Sequence, residues 1–416
     1  MECIKFKIVN LKSYNSLIKI ILCLLLSYLA NGLLAQTQEI ILPASNSGRL
    51  NIPLYVTTKE LSPSVDYFFL QHKARKEFIL AQKVDNNTIV FIPRQKISIN
   101  KKFRYKLLEI PVQKVLRKPV QPVVRFQQTE KGIEAWVKEK LVFIYHTKLS
   151  LPPSDSPLYY KRSGFIHPLF SPSGDILTDD FPAGHAHQHA IFTAWPNTSF
   201  RNAKVDFWNQ HQQSGTVTHD QVLELTSGEI FGRMRVKLFH QSLKDGNVLE
   251  EIWTITLYAI EQDFLFDLES DQKNITLDTL YLHQYIYGGL AFRGSREWNK
   301  HNPGHKGDSM HILTSEGRMN RDANHTLARF VTAYGKVQEL VGGVTIFDHA
   351  QNFRYPQPIR VHPEMPYWAY SPVVSGGFTI DPGKTYTSRY RYFSFTGLPD
   401  KKRIKEIERE WAGRKL

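Results

Sequence analysis

Alternation constrains this chain more than any other feature. From Val123 to about Asp400 it runs through segments in which apolar and polar residues alternate, with almost no apolar spacing of helical period. G-I-E-A-W-V, L-V-F-I-Y-H, E-I-F-G-R-M-R-V-K-L-F, V-L-E-E-I-W-T-I-T-L-Y-A-I, F-L-F-D-L-E-S, F-T-I-D and T-S-R-Y-R-Y-F-S-F all read as strands. Strands of this length and pattern predict a large antiparallel two-sheet β-sandwich. From Glu39 to about Ile110 shorter strands follow one another between the turn signals S-N-S-G, S-P-S and D-N-N, which predicts a small supporting sandwich of immunoglobulin-like type. Only the tail from Asp400 to Leu416 reads as a helix, with Ile404, Ile407 and Trp411 as its apolar stripe. The expected fold class is therefore all-β: an N-terminal immunoglobulin-like small sandwich, a large antiparallel two-sheet β-sandwich, and a short C-terminal helix.

Lys5, Lys7, Lys12 and Lys19 precede an apolar run from Ile20 to Ala30, and Leu33-Leu34-Ala35 ends before Gln36 with a small residue at the cut. This predicts a cleavable signal peptide over residues 1–35 and a periplasmic or secreted protein, since the run is shorter than the roughly 20 residues that span a bilayer. Residues 36–112 are then the small sandwich, 113–122 a proline- and base-rich linker, 123–400 the large sandwich and 401–416 the helix. Both cysteines, Cys3 and Cys23, lie in the leader, so disulfides, thiolates, iron–sulfur clusters and type-1 copper are excluded from the remainder. No Walker, Rossmann or G-x-S-x-G motif is present, and no nucleotide, flavin or haem is expected. Of the formal charge of +14, +3 falls in the leader (four lysines less Glu2), which leaves +11. In an exported protein that charge favours an anionic partner such as an acidic polysaccharide, or serves solubility alone; nucleic acid is not an expected partner.

The chemistry concentrates between Phe165 and Trp195. There H-A-H-Q-H-A places His185, His187 and His189 at alternate positions, so in an extended strand all three imidazoles would share a face. Neighbours two apart would stand about 6.6 Å from each other and could share one ion, whereas four apart is about 13 Å. At most two of the three would be co-ligands, with His283 as the third, and His349 and Asp206 behind it. His283 lies in Y-L-H-Q-Y-I-Y, whose alternation predicts one strand face with Tyr281, Tyr285 and Tyr287.

At this point a family resemblance can be stated. I-H-P-L-F-S-P-S-G-D-I-L-T, H-A-H-Q-H-A-I-F-T-A-W, D-F-W-N, G-G-L-A-F-R-G and D-H-A-Q-N-F-R-Y-P, in this order between Leu158 and Phe395, resemble the bacterial exported PmoA-like (methane oxygenase PmoA) family. That family's common His-x-His-His-Arg-Gly-Ile aligns with His185 and His187 and departs at Gln188, His189 and Ala190, so it supports the first two histidines more than the third. The resemblance leans the substrate class toward carbohydrate, and the family label implies a metal-dependent oxygenase as an alternative, which would need iron or copper and consume O₂.

Three readings of the histidines stay open. They bind one divalent ion, Zn²⁺ or similar, through His185, His187, His189 and His283; they act as general acid and base, with His185, His187 and His283 catalytic; or they form a hydrogen-bonded seam between sheets. Asp206, Trp208, Tyr285, Arg293, Asn352 and Arg354 are the expected substrate-binding groups, the arginines suiting a forked grip on an anionic sugar. The expected function is hydrolysis or elimination of a glycan, with a non-catalytic polysaccharide-binding protein as the competing reading.

Overall fold

The computed structural model describes residues 38–42, 49–72, 78–94, 102–109, 121–302 and 309–414. The expected leader, both cysteines and residues 113–120 of the linker lie outside the described residues. The chain divides into two compact units, one comprising the residues up to Val123 with Gly228–Phe231 and Arg414, the other Val124–Ser227 with Gly232–Gly413. Among the described residues no helix is long and apolar enough to cross a membrane.

The first unit is one antiparallel sheet in the order Gln38–Leu42, Phe103–Glu109, Tyr67–His72, Phe78–Asp85, Thr88–Phe91, Leu54–Thr57. Ile40 and Leu54, from its two outermost strands, belong to the same core cluster as Phe68, Ala81, Phe91 and Leu107. The strands thus share a single apolar interior, as their alternation requires.

Among the described residues the second unit carries two eight-stranded sheets and one of four. The first large sheet runs Ile359–Val361, Tyr367–Tyr370, Gly289–Arg293, Ile191–Ala194, Ile166–Leu169, Lys140–Tyr145, Gly132–Val137, Val124–Thr129. The second runs Gly215–Thr226, Phe231–Ser242, Gly246–Tyr258, Phe264–Asn274, Thr385–Thr396, Leu340–Asp348, Phe330–Val337, His311–Thr314. Phe143 meets Phe266 across them at 5.1 Å between ring centroids, and Tyr370 stacks on Tyr390 at the same separation. The sandwich expected from alternation is the observed layout.

An acidic side chain with a dense set of donors lies inside this sandwich. Glu251, fully buried, accepts from Thr193 Oγ1 at 2.7 Å, Trp253 Nε1 at 2.7 Å, Ser270 Oγ at 2.6 Å and Gln272 Nε2 at 3.0 Å, and pairs with His240 Nε2 at 2.7 Å. Burial alone would raise its pKa, but His240 and the hydroxyl donors outweigh burial and hold it at about 2.

The C-terminal helix spans Lys401–Ala412. Asp400 caps it by accepting from the backbone N–H groups of Lys402 and Arg403 at 2.9 and 3.1 Å. Ile404, Ile407 and Trp411 are buried, as their spacing predicts, and Trp411 Nε1 donates to the Asp348 carbonyl at 3.1 Å.

Candidate functional site

Four adjacent strands of the first large sheet end together. Ile191 pairs with Phe292, Arg293 with Tyr367, and Trp368 with Val361, so the start of one strand, the close of the next, and the hairpin that follows share one edge. On the inner face Thr193 reaches Glu251 and Tyr370 reaches Tyr390. Alternation therefore puts Phe192, Ala291, Ala369, Arg293 and Tyr367 on the outer face. Small residues there leave room for Trp208, which packs on Phe192 at 4.7 Å, Tyr287 at 5.1 Å and Tyr367 at 6.2 Å.

The histidine stretch crosses this edge, but not as a strand. Residues 182–188 form two consecutive turns, in which His185 N–H donates to Pro182 O at 3.0 Å and Gln188 N–H to His185 O at 2.9 Å. Phe181, Gly184 and Ala190 have φ of 48°, 75° and 52°, which an extended strand does not accommodate. The strand begins only at Ile191. The expected common face for His185, His187 and His189 is accordingly corrected.

His189 is buried, with Nδ1 2.8 Å from Asp180 Oδ1 and Nε2 2.9 Å from Gln210 Oε1. Both ring nitrogens are engaged, and no lone pair is left for a metal. His185 and His187 are half-buried, with ring centroids 5.6 Å apart. His362 stands 5.8 Å from His185, and His211, exposed on the short turn Gln210–Gln212, stands 5.9 Å from His187. Tyr160 lies 6.5 Å from His187. The result is a row of four imidazoles, His362, His185, His187 and His211, beside a tyrosine.

Three members of the row, His185, His187 and His362, are held against protonation. Burial, then the neighbouring His185, His189, His211 and Arg293, push His187 down to about 3. Burial, then Arg360, His185 and Arg293, push His362 down to about 4. His185 is lowered by burial and by Arg293 and His301. Its Nδ1 is buried without a hydrogen-bond partner, and His187 makes no hydrogen bond among the described residues. His362 Nδ1 accepts from the backbone N–H groups of Glu364 and Met365, which leaves Nε2 as its open nitrogen.

Other expected site residues lie elsewhere or are engaged in structure. The strand containing Tyr281 ends at Leu282, and the chain then crosses to the large sheet, entering it at Gly288 and Gly289 with φ of 144° and 124°. The expected face of His283 with the tyrosines is therefore not formed. His283 is exposed beside the four-stranded sheet, where Nε2 meets Ser199 Oγ. Asp206 accepts from the backbone N–H of Trp208 and Asn209 and from Asn209 Nδ2, so it shapes its own turn. Trp208, like Trp195, Trp298 and Trp368, is buried and offers no sugar platform. Tyr285 is half-buried against Tyr287, whose hydroxyl donates to Asn209 Oδ1 at 2.9 Å. Asn352 is spent on Asp348 and the backbone of Arg389, and Arg354 on the carbonyls of Pro372, Gly376 and Gly377.

The expected four-histidine ligand set is thus not assembled, and among the described residues no group of three or more His, Cys, Asp or Glu is placed to hold a metal ion. Conversely, His362, His211, Gln188 and Tyr160 join His185 and His187 without having been singled out as site residues. His211 closes V-D-F-W-N-Q-H and His362 just precedes M-P-Y-W-A-Y-S-P, so each adjoins an aromatic-rich stretch of the sequence.

The profile of a family described as "Family of unknown function (DUF6807)" matches residues 133–409, which include every residue of the imidazole row. No curated protein matches the chain. Among solved structures, the galactosidase domain of alpha-galactosidase-sucrose kinase, AgaSK, is similar over 67% of this chain and 40% of that one, with 9% identity and a TM-score of 0.31. The chain thus spans less than half the length of that solved chain.

Proposed function

We propose that this chain, which belongs to the DUF6807 family, is an exported carbohydrate-active enzyme that hydrolyses or eliminates a glycan by acid–base catalysis. One observation carries the reading: His185, His187 and His362 stand ring to ring at a sheet edge, each with its pKa lowered by burial first and positive neighbours second. An imidazole that is unprotonated near neutral pH and makes no hydrogen bond among the described residues, as with His187, has a lone pair free to accept a proton without a metal. His187 is the proton acceptor in this reading. Tyr160, whose hydroxyl burial and Tyr159 keep protonated, is the proton donor beside it. Tyr160 beside the row supports a sugar, since an aromatic face with a polar tip matches a ring that is apolar on one side and hydroxylated at its edge. The resemblance in the motifs leans the same way, toward carbohydrate as the class.

The test is to incubate the purified chain with a panel of neutral and acidic glycans, alongside a His187→Ala variant, and to follow new reducing ends and unsaturated products. Turnover by the native chain that disappears in the folded variant supports the reading. Turnover that the variant retains overturns it, as does affinity for a glycan that is never consumed.

A further inference from the structure

Arg293 closes the strand Gly289–Arg293, on the face that bears Tyr367, and is completely buried. Its Nη1 donates to Gln188 Oε1 at 2.8 Å and touches Met365 Sδ at 3.5 Å. Nε and Nη2 have no partner. Among the described residues no carboxylate lies within ion-pair distance of it: Asp179, whose charge it feels, gives Oδ1 to Arg296 and to the Asp180 N–H. Asp179 Oδ2 is buried and unpartnered but makes no ion pair with Arg293; a buried cation with no carboxylate in contact is unfavourable, and an arriving anion relieves that penalty.

The two open nitrogens form one edge of the guanidinium. Arg391 of the same chain shows what that edge takes when filled: Nε reaches Asp267 Oδ1 at 2.7 Å and Nη2 reaches Asp267 Oδ2 at 2.9 Å. Arg162, also buried, differs. Its unpartnered nitrogens are Nε and Nη1, its Nη2 donates to Thr193 O at 3.0 Å, and its charge is answered by Glu251. Only Arg293 of these three keeps a complete side-on fork empty.

We infer that the Nε–Nη2 edge of Arg293 seats a carboxylate, and that the substrate of the histidine site is an acidic sugar. Gln188, on the loop that carries His185 and His187, covers Nη1 with a neutral amide oxygen and leaves the Nε–Nη2 edge to the incoming carboxylate. The inference rests on the acid–base reading of the histidines. A carboxylate held by Arg293 acidifies the C–H bond on the adjacent carbon. The histidine takes that proton, the C–H electrons form a C=C bond, the glycosidic C–O bond breaks, and the departing oxygen gains a proton. The reaction it specifies is β-elimination, with no other reactant.

The experiment is calorimetric titration of the full chain with oligogalacturonate, oligoglucuronate and oligomannuronate and with the methyl ester of each, which keeps the sugar and removes the charge. At least one acid should bind about tenfold or more tighter than its ester. Arg293→Lys, which keeps the charge but loses the fork, should erase that preference. So should Gln188→Glu, which supplies an internal counterion and does not remove the arginine. A native chain that binds none of the acids, or binds acid and ester alike, overturns the inference, as does a preference that survives Gln188→Glu. An acid that is preferred but never consumed leaves the carboxylate seat standing and removes the acid–base reading; esters consumed as readily as acids do the reverse.

Discussion

His189 Nδ1 stands 2.8 Å from Asp180 Oδ1, and the same two residues form an isolated antiparallel bridge. Main chain and side chain therefore close the loop between them at its base, with Gln210 capping the other ring nitrogen at 2.9 Å. His189→Ala leaves a nearly buried Asp180 without its partner, and the expected loss of stability is about 3 kcal/mol. Urea titration of variant and native chain measures it, and a loss below about 1 kcal/mol would mean that the pair does not hold the loop.

His187→Ala should behave in the opposite way. The side chain makes no hydrogen bond among the described residues, so stability should stay within about 1 kcal/mol of native. Turnover of any glycan substrate should fall by about 100-fold or more. Melting curves and initial rates on the same sample separate the two effects.

The pH profile follows from the direction of the shifts. Burial first, then positive neighbours, hold His187 at about 3 and His362 at about 4, against an ordinary 6.5. The base stays unprotonated as pH drops through 6.5, so the acid limb of kcat/KM should lie below that value. Arg293→Met removes one positive neighbour and should move the limb upward. A limb at or above 6.5 in the native chain would assign the base to another group.

Glu251 makes a separate prediction for the sandwich. Burial would raise its carboxyl, but its donors and His240 hold it at about 2 against an ordinary 4.5. A folded value below the unfolded one means that the stabilisation is complete above about 4.5 and fades as pH falls toward about 2. Glu251→Ala strands five buried donors and should lower stability by about 3–5 kcal/mol at neutral pH, with a weaker dependence on acid than native. Chemical denaturation at several pH values tests both parts.

The sheets and the helix were legible because alternation and the Ile404, Ile407, Trp411 stripe report directly which face is buried. Alternation misled where special backbone geometry interrupts it. H-A-H-Q-H-A has a period of two, yet Pro182 and the positive φ at Gly184 and Ala190 fold it into turns. Y-L-H-Q-Y-I-Y has the same period, but the chain changes sheets after Leu282. Arg293 was readable as a polar group near the site, because arginine at the end of an apolar strand is out of place. His362 was not, since its position beside His185 depends on the pairing of Val361 with Trp368, a contact that no local spacing encodes.

The bond between Asp180 and His189 also bears on how this fold can diverge. A loop tied at its base returns the chain to where it left, so residues 181–188 can be exchanged without moving the strand that starts at Ile191. His185 and His187 thus ride on a replaceable cassette over a fixed frame. Two chains that share the sandwich can then differ in reaction, and kinship in the sheets alone is a poor guide to shared chemistry.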